Sequence, residues 1–239
     1  MAFRHGKSAV ILYNEFNLSP YFNAAGVSND LDMAETSTFG ATAKTFIPGL
    51  IDGKVSAAGL FDGDADAVDE VLSAVMGAED SDIVTVCPEG NSLGRRAYSM
   101  LVKQASYKIS APVTDAVKTS VELQCDGGAD SSVILAAGAA VSTTGNGTGV
   151  DQDAASTGGG VGYLHVPVNT RDGAVTVKIQ HSTDNVTFAD LITFAAVPAS
   201  TPTVERLVVS GTVNRYVRAQ HTIAGATGST TYTATFSRR

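Results

Sequence analysis

The side chains in this sequence best suited to hold a metal or to attack a substrate are four histidines, His5, His165, His181 and His221, and two cysteines, Cys87 and Cys125. A zinc site needs three or four such ligands, with some of them a few residues apart. None of the six has a neighbour of its kind at that spacing. His165, His181 and His221 recur in the rear strands, far apart and without an Asp/Glu-x-His cluster, and read as solvent-facing strand histidines. The cysteines have neither the number nor the spacing of a disulfide framework and read as buried free thiols.

Other reactive patterns are equally thin. There is no G-x-S-x-G elbow, no H-E-x-x-H pair and no P-loop lysine after the glycines of GNGTG. A Ser-His-Asp set can be drawn on paper from any chain this rich in Ser and Asp, so its availability is no evidence of catalysis. The acids of DADAVDEVLSAVMG, from Asp64, read as helix-start electrostatics rather than as a metal cluster. The expectation is a protein that is not an enzyme, with no catalytic, cofactor-binding or metal-binding residues.

The elements that would carry these residues are mostly strands. Only 7% of the 239 residues are aromatic, there is no Trp, and Ala, Val, Thr, Ser and Gly dominate, which suits β-rich packing. Strand patterns occur at 8–14, 54–62, 82–88, 97–110, 116–126 and 131–137. Val117, Thr119, Val121 and Leu123 alternate with Lys118, Ser120, Glu122 and Gln124, giving one apolar and one polar face. One helix stands apart: Val68, Val71, Leu72, Val75 and Met76 form a single apolar stripe, with Asp64 as its cap and Gly77 as its end. Residues 17–45 are polar and poorly periodic and read as a long functional loop.

Residues 141–160 lack side chains large enough to anchor a core and read as a Gly/Ser/Ala-rich linker. Short, regularly spaced strands return beyond it, among them AVTVKIQHS, in which Val175, Val177 and Ile179 face opposite Thr176, Lys178 and Gln180. The expected fold is therefore mainly β. An N-terminal β-sandwich or barrel with one flanking α-helix covers residues 1–140, and a C-terminal antiparallel β-sandwich covers 161–239.

Charge is uneven. Residues 1–140 hold 9 Lys+Arg against 18 Asp+Glu, and residues 141–239 hold 7 against 6. An acidic front half disfavours nucleic-acid binding through ion pairs. The opening residues lack the apolar core of a secretory signal, and no run approaches a membrane span, so the expectation is folding in a cytoplasm without membrane contact.

The run SNDLDMAETSTFGATAKTFIPGLIDGKVSAAGLFDGDADAVDEVL resembles the signature region of the major tail, or tail tube, proteins of long-tailed, siphovirus-type bacteriophages. The matching positions are Thr38-Phe39-Gly40, Lys44, Pro48-Gly49-Leu50, Asp52-Gly53, Ser56, Gly59 and Asp62, and ASYKISAPVTDAVKTSVELQCDGG is similar to a later strand pair of that family. The resemblance covers residues 1–140; the rear part is similar to the Ig-like or jelly-roll sandwiches appended to phage structural proteins, which the simplest family members lack.

The resemblance implies a structural virion protein located in the tail and assembled in the host cytoplasm. It would form homohexameric rings, stacked into a tube through which DNA is ejected without specific binding. Its implied partners are further copies of itself, the tape measure protein, the tail terminator and the distal tail proteins. Asn29, Asp30, Asp32, Glu35, Thr38, Phe39 and Lys44 would belong to an inter-subunit or inter-ring loop. Glu122 is a candidate to face the lumen, with a plain solvated strand face as its rival reading. The rear sandwich would either make weak contact with host-surface glycans or simply cover the outside. Alternatives to the tail tube are a capsid decoration or tail terminator protein, and a carbohydrate-binding adhesin or cell-wall hydrolase.

Overall fold

The alternation of polarity along the chain becomes sixteen strands in a computed structural model that describes residues 5–239. The first are β1 (Val10–Tyr13), β2 (Phe16–Asn17), β3 (Phe22–Glu35) and β4 (Phe46–Leu60). Helix α1 (Val68–Ala74) precedes β5 (Asp82–Cys87), β6 (Arg96–Ser110), β7 (Lys118–Cys125) and β8 (Asp130–Val141). Then come β9 (Gly145–Asn146), β10 (Val150–Asp151), β11 (Gly160–Asn169) and β12 (Val175–Ser182). The chain ends with β13 (Ala189–Thr193), β14 (Thr203–Val209), β15 (Tyr216–Ile223) and β16 (Thr230–Arg238). The protein is mainly β and antiparallel, as its sequence leads one to expect.

The strands sort into two units whose boundaries are not those suggested by composition. One unit takes the chain up to Pro20, Ile83–Ser99 and Asp130–Arg239; the other takes Tyr21–Asp82 and Met100–Ala129. Front strands thus join rear strands in one fold, in the order β14-β11-β16-β8-β6-β5-β1-β2, with β6 contributing Arg96–Ser99. A second sheet, β10-β15-β12-β13, packs across it. Their shared core includes Leu164, Val177, Ile179, Phe194, Val217 and Phe236. At roughly 1.5–3 kcal/mol for each large apolar side chain removed from water, this sandwich is the main source of stability in its unit.

The segment 141–160 is not a free linker. It carries β9 and β10, both paired to β15, and Ser156 and Gly158 bridge to Val213 and Gly211. Its small residues reflect close backbone approach: a Cβ on Gly147 would lie 2.8 Å from the Ala219 carbonyl oxygen, and one on Gly158 2.3 Å from that of Arg239. Composition alone cannot separate a flexible stretch from one pressed flat against a sheet.

The histidines also differ from expectation. His165 is fully buried and His221 nearly so. Nδ1 of His165 lies 2.7 Å from the Asn14 carbonyl and Nε2 2.8 Å from Thr85 Oγ1, which continues to Ser99 (2.9 Å) and Thr235 (2.9 Å). His221 bridges Tyr232 Oη and the Thr143 carbonyl, each at 2.9 Å. A buried imidazole is affordable in a strand once both nitrogens are hydrogen-bonded, and polarity patterns do not reveal that pairing.

In the other unit, β3-β4-β7-β6 form an antiparallel sheet. Thr119, Val121, Leu123 and Cys125 of β7 and Val55 and Ala57 of β4 are buried, as are Val68, Val71 and Leu72 of α1. The helix is shorter than its apolar stripe suggests. Asp66 adopts a left-handed backbone (φ 60°), so the helix starts after it, with Ala67 rather than Asp64 as N-cap. Glu70 reaches back to accept from the Asp66 N–H at 2.7 Å. Because the helix stops at Ala74, Met76 stays exposed.

Candidate assembly interface

The stretch read as a loop, residues 17–45, is mostly strand. β3 pairs with β4 from Phe22 opposite Gly59 to Glu35 opposite Phe46. Its periodicity escapes notice because nearly every residue of β3 is exposed, so neither face needed to be apolar. The next strand of the sheet, β7, accompanies β4 only between Lys54 and Leu60. Beyond that point the hairpin continues as a two-stranded ribbon, from about Asn29 and Gly53 to its turn.

Asn29 marks where the ribbon leaves the sheet. Its Nδ2 donates to the Ala129 carbonyl (3.1 Å), and its Oδ1 accepts from the Ala129 N–H (3.0 Å). Asp30 stands opposite Asp52, and Asp32 packs beside Gly49. Near the turn, Lys44 Nζ meets Glu35 Oε2 at 2.9 Å, with both side chains largely in water. The Thr38 carbonyl accepts from the Ala41 N–H at 3.1 Å, and Phe39 beside it is wholly exposed. The residues proposed for a loop are therefore brought together, but on a hairpin: four on β3, two in the turn and Lys44 just before β4.

The ribbon is also apolar. Leu31, Met33, Phe46, Ile47 and Ile51 are each about half exposed, and Leu50 is 80% exposed. An isolated two-stranded ribbon is at best marginally stable in water, and exposed apolar patches of this kind mark interaction surfaces. A second feature adds to this. Strand β3, fourteen residues long, pairs only with β4, leaving its outer row of N–H and C=O groups without a strand partner among the described residues.

Glu122 is exposed on β7, opposite Ser56 of β4 and Ser106 of β6. Lys54 Nζ binds Asp52 at 2.8 Å, and Gln124 donates both to Asp52 and to the Gly53 carbonyl. The Lys54 and Gln124 hydrogen bonds hold the Asp52 carboxyl below its ordinary range. Lys54 is shifted up first by that Asp52 bond, with Asp30 and Glu122 contributing through their charge. Both groups are solvated, so the pairing adds little to stability. This face carries Lys54, Lys103, Lys108 and Lys118 beside Asp30, Asp52 and Glu122, with Lys118 also paired to Asp115 at 2.5 Å, and has Gly26, Ser28, Ser56, Ala58 and Ser120 between them, so it is nearly charge-balanced and rich in small residues. The front half's acidity lies largely elsewhere, at Asp62, Asp64, Asp66, Asp69 and Glu70 around α1.

No cluster of His, Cys, Asp and Glu able to hold a metal occurs among the described residues, and no helix among them is long and apolar enough to cross a membrane.

No protein-family model matches the chain, and no curated protein matches it. Several solved structures are similar. The virion of a native gene transfer agent particle has a chain 12% identical, covering 54% of this chain and 98% of that one, with a TM-score of 0.44. The SPP1 tail tube is 14% identical over 53% of this chain and 77% of that one, also at 0.44. The SPP1 Dit protein, from a hub adsorption apparatus, is 14% identical over 95% and 98%, at 0.39. At these identities and TM-scores the likenesses assign no function.

Proposed function

We propose that this chain is a structural subunit of a phage-type tail tube, without catalytic activity, that assembles with copies of itself into hexameric rings stacked around a DNA conduit. The observation that carries the reading is the apolar β3–β4 ribbon together with the open margin of β3: a monomer leaves both without a partner, and assembly covers both. The tail-tube resemblance of residues 38–62 falls on this same hairpin, from its turn through β4.

In this arrangement β3 of one copy continues the sheet of the next, so that six four-stranded sheets close into one barrel with no free edge. The face bearing Ser56, Ser120 and Glu122 lines the bore. Lys54 is paired with Asp52 and Lys118 with Asp115, so few of the face's cations are left to hold passing phosphates. The ribbon, with Asn29 to Lys44, reaches a neighbouring subunit or ring. Tape measure, terminator and distal tail proteins are the further partners.

Negative-stain electron microscopy of the concentrated protein tests this. Hollow tubes or six-fold rings are the expected result. Monomers or trimers that never stack, even when seeded, would overturn it in favour of a decoration protein.

A further inference from the structure

The sheet β3-β4-β7-β6 has two margins without a strand partner among the described residues. One is β3. The other is the far half of β6: β7 lies along one side of it from Val102 to Ser110, and β5, six residues long, can accompany no more than its first half on the other. Every pairing within the sheet is antiparallel, so β3 and β6 run in opposite directions. Copies set side by side around an axis along the strands therefore bring β3 of one against β6 of the next as an antiparallel pair.

The two margins carry opposite charge on the same face. Asp30 stands opposite Asp52 of β4, and Asp32 is the next residue along that side of β3. Lys103 stands opposite Gln124 and Lys108 opposite Ser120, on the face that also bears Asp52 and Lys54. Lys103 and Lys108 are an odd number of residues apart and would point to opposite sides of a regular strand. The register shift between Gln104 and Ser106 brings them to one side. No Lys or Arg occurs between Phe22 and Glu35, and no Asp or Glu between Met100 and Ser110.

All four residues are exposed. Asp32 and Lys108 belong to no ion pair among the described residues, Asp30 acts on Lys54 only through its charge, and Lys103 donates to the Glu79 carbonyl at 2.7 Å. Lysine on an open edge commonly serves to repel other sheets. Here the opposite margin holds the complementary charge.

We propose that these charges decide how copies pair: Asp30 and Asp32 of one copy meet Lys103 and Lys108 of the next, so that β3 joins β6 rather than another β3. A two-fold pairing of β3 with β3 sets aspartates against aspartates, and one of β6 with β6 sets lysines against lysines, and like charges facing each other across strands are destabilising. The β3–β6 contact is attractive and uses two different surfaces, so it repeats from copy to copy until a ring closes. It also engages the two lysines of this face that Asp52 and Asp115 leave over. The pairing rests on the ring assembly of the tail-tube reading and names the strand and side chains that receive β3.

Charge reversal in the full chain tests it, read by sedimentation and negative-stain electron microscopy at low salt. Lys103→Glu with Lys108→Glu, and separately Asp30→Lys with Asp32→Lys, should each raise the concentration at which rings appear by about tenfold or more. The two variants mixed in equal amounts should regain assembly, because an alternating hexamer restores an opposite pair at every contact, and the variant with all four residues reversed should assemble alone. Thermal melts of each variant beside the wild type separate loss of assembly from loss of fold. Reversals of one margin that assemble like the wild type, or a mixture as inert as its parts, would overturn the charge pairing and leave the ring reading standing. A wild type that never assembles would overturn both.

Discussion

Gly59 lies against the backbone of Tyr21: a Cβ at residue 59 would sit 2.0 Å from the Tyr21 carbonyl oxygen and 2.6 Å from Phe22 Cα. The same carbonyl accepts from the Leu60 N–H at 2.8 Å, at the irregularity where β3 begins to pair with β4. Gly59 therefore lets β4 come into backbone contact with the start of β3, at the base of the hairpin. Gly59→Ala must push the strands apart, and urea unfolding should show a loss of about 1–3 kcal/mol.

Arg171 is buried without a carboxylate partner. Its guanidinium donates to the carbonyls of Ser142, Ala224, Gly225 and Gly228 at 2.8–3.3 Å, fixing the turns at one end of the sandwich. Arg171→Ala should cost roughly 3 kcal/mol or more, because several carbonyls lose their donors in the interior. Arg171→Lys should recover only part of this, since an ammonium cannot reproduce the planar fork. Thermal melts of the two variants beside the wild type check both.

At the ribbon, Leu50 contributes little to the folded monomer. Leu50→Lys should change monomer stability by less than about 0.5 kcal/mol while abolishing tubes or rings in electron micrographs. A variant that assembles normally would remove the ribbon from the interface and leave the fold unquestioned.

The thiols should be inert in the native protein. Burial pushes Cys87 up to about 12 and Cys125 up to about 11, the latter with help from the Asp52 charge. Because the thiolate is the reactive form, a thiol reagent at pH 8 should label neither until denaturant is added.

Asp184 organises the turn after β12. Its Oδ1 accepts from Val186 N, Thr187 N and Ser182 Oγ, and these bonds hold its carboxyl at about 2, below the ordinary 3.8. A depressed carboxyl stabilises the fold above its unfolded value, and that contribution disappears as pH falls through 2. Asp184→Asn should therefore melt below the wild type at pH 7, with the gap closing toward pH 2.

The sequence by itself determined the class of fold and much of its fine pattern. Strands with one wet and one dry face, such as Lys118–Cys125 and Val175–Ser182, announce themselves, because burial on one side imposes a period of two. The thiols were legible as well, both being free and buried. What the sequence could not announce was anything whose environment comes from elsewhere in the chain. β3 is wet on both faces and so carries no period. The glycines of 141–160 read as slack, yet Gly147 and Gly158 are small because Ala219 and Arg239 press against them. His165 reads in the sequence like any polar strand residue, yet β11 is buried on both faces there, and Asn14 and Thr85, brought in from other strands, supply its partners. The grouping of residues up to Pro20 and 83–99 with 130–239 depends likewise on pairing between strands far apart in the chain. Local pattern records which side of a strand is dry; tertiary structure decides what dries it.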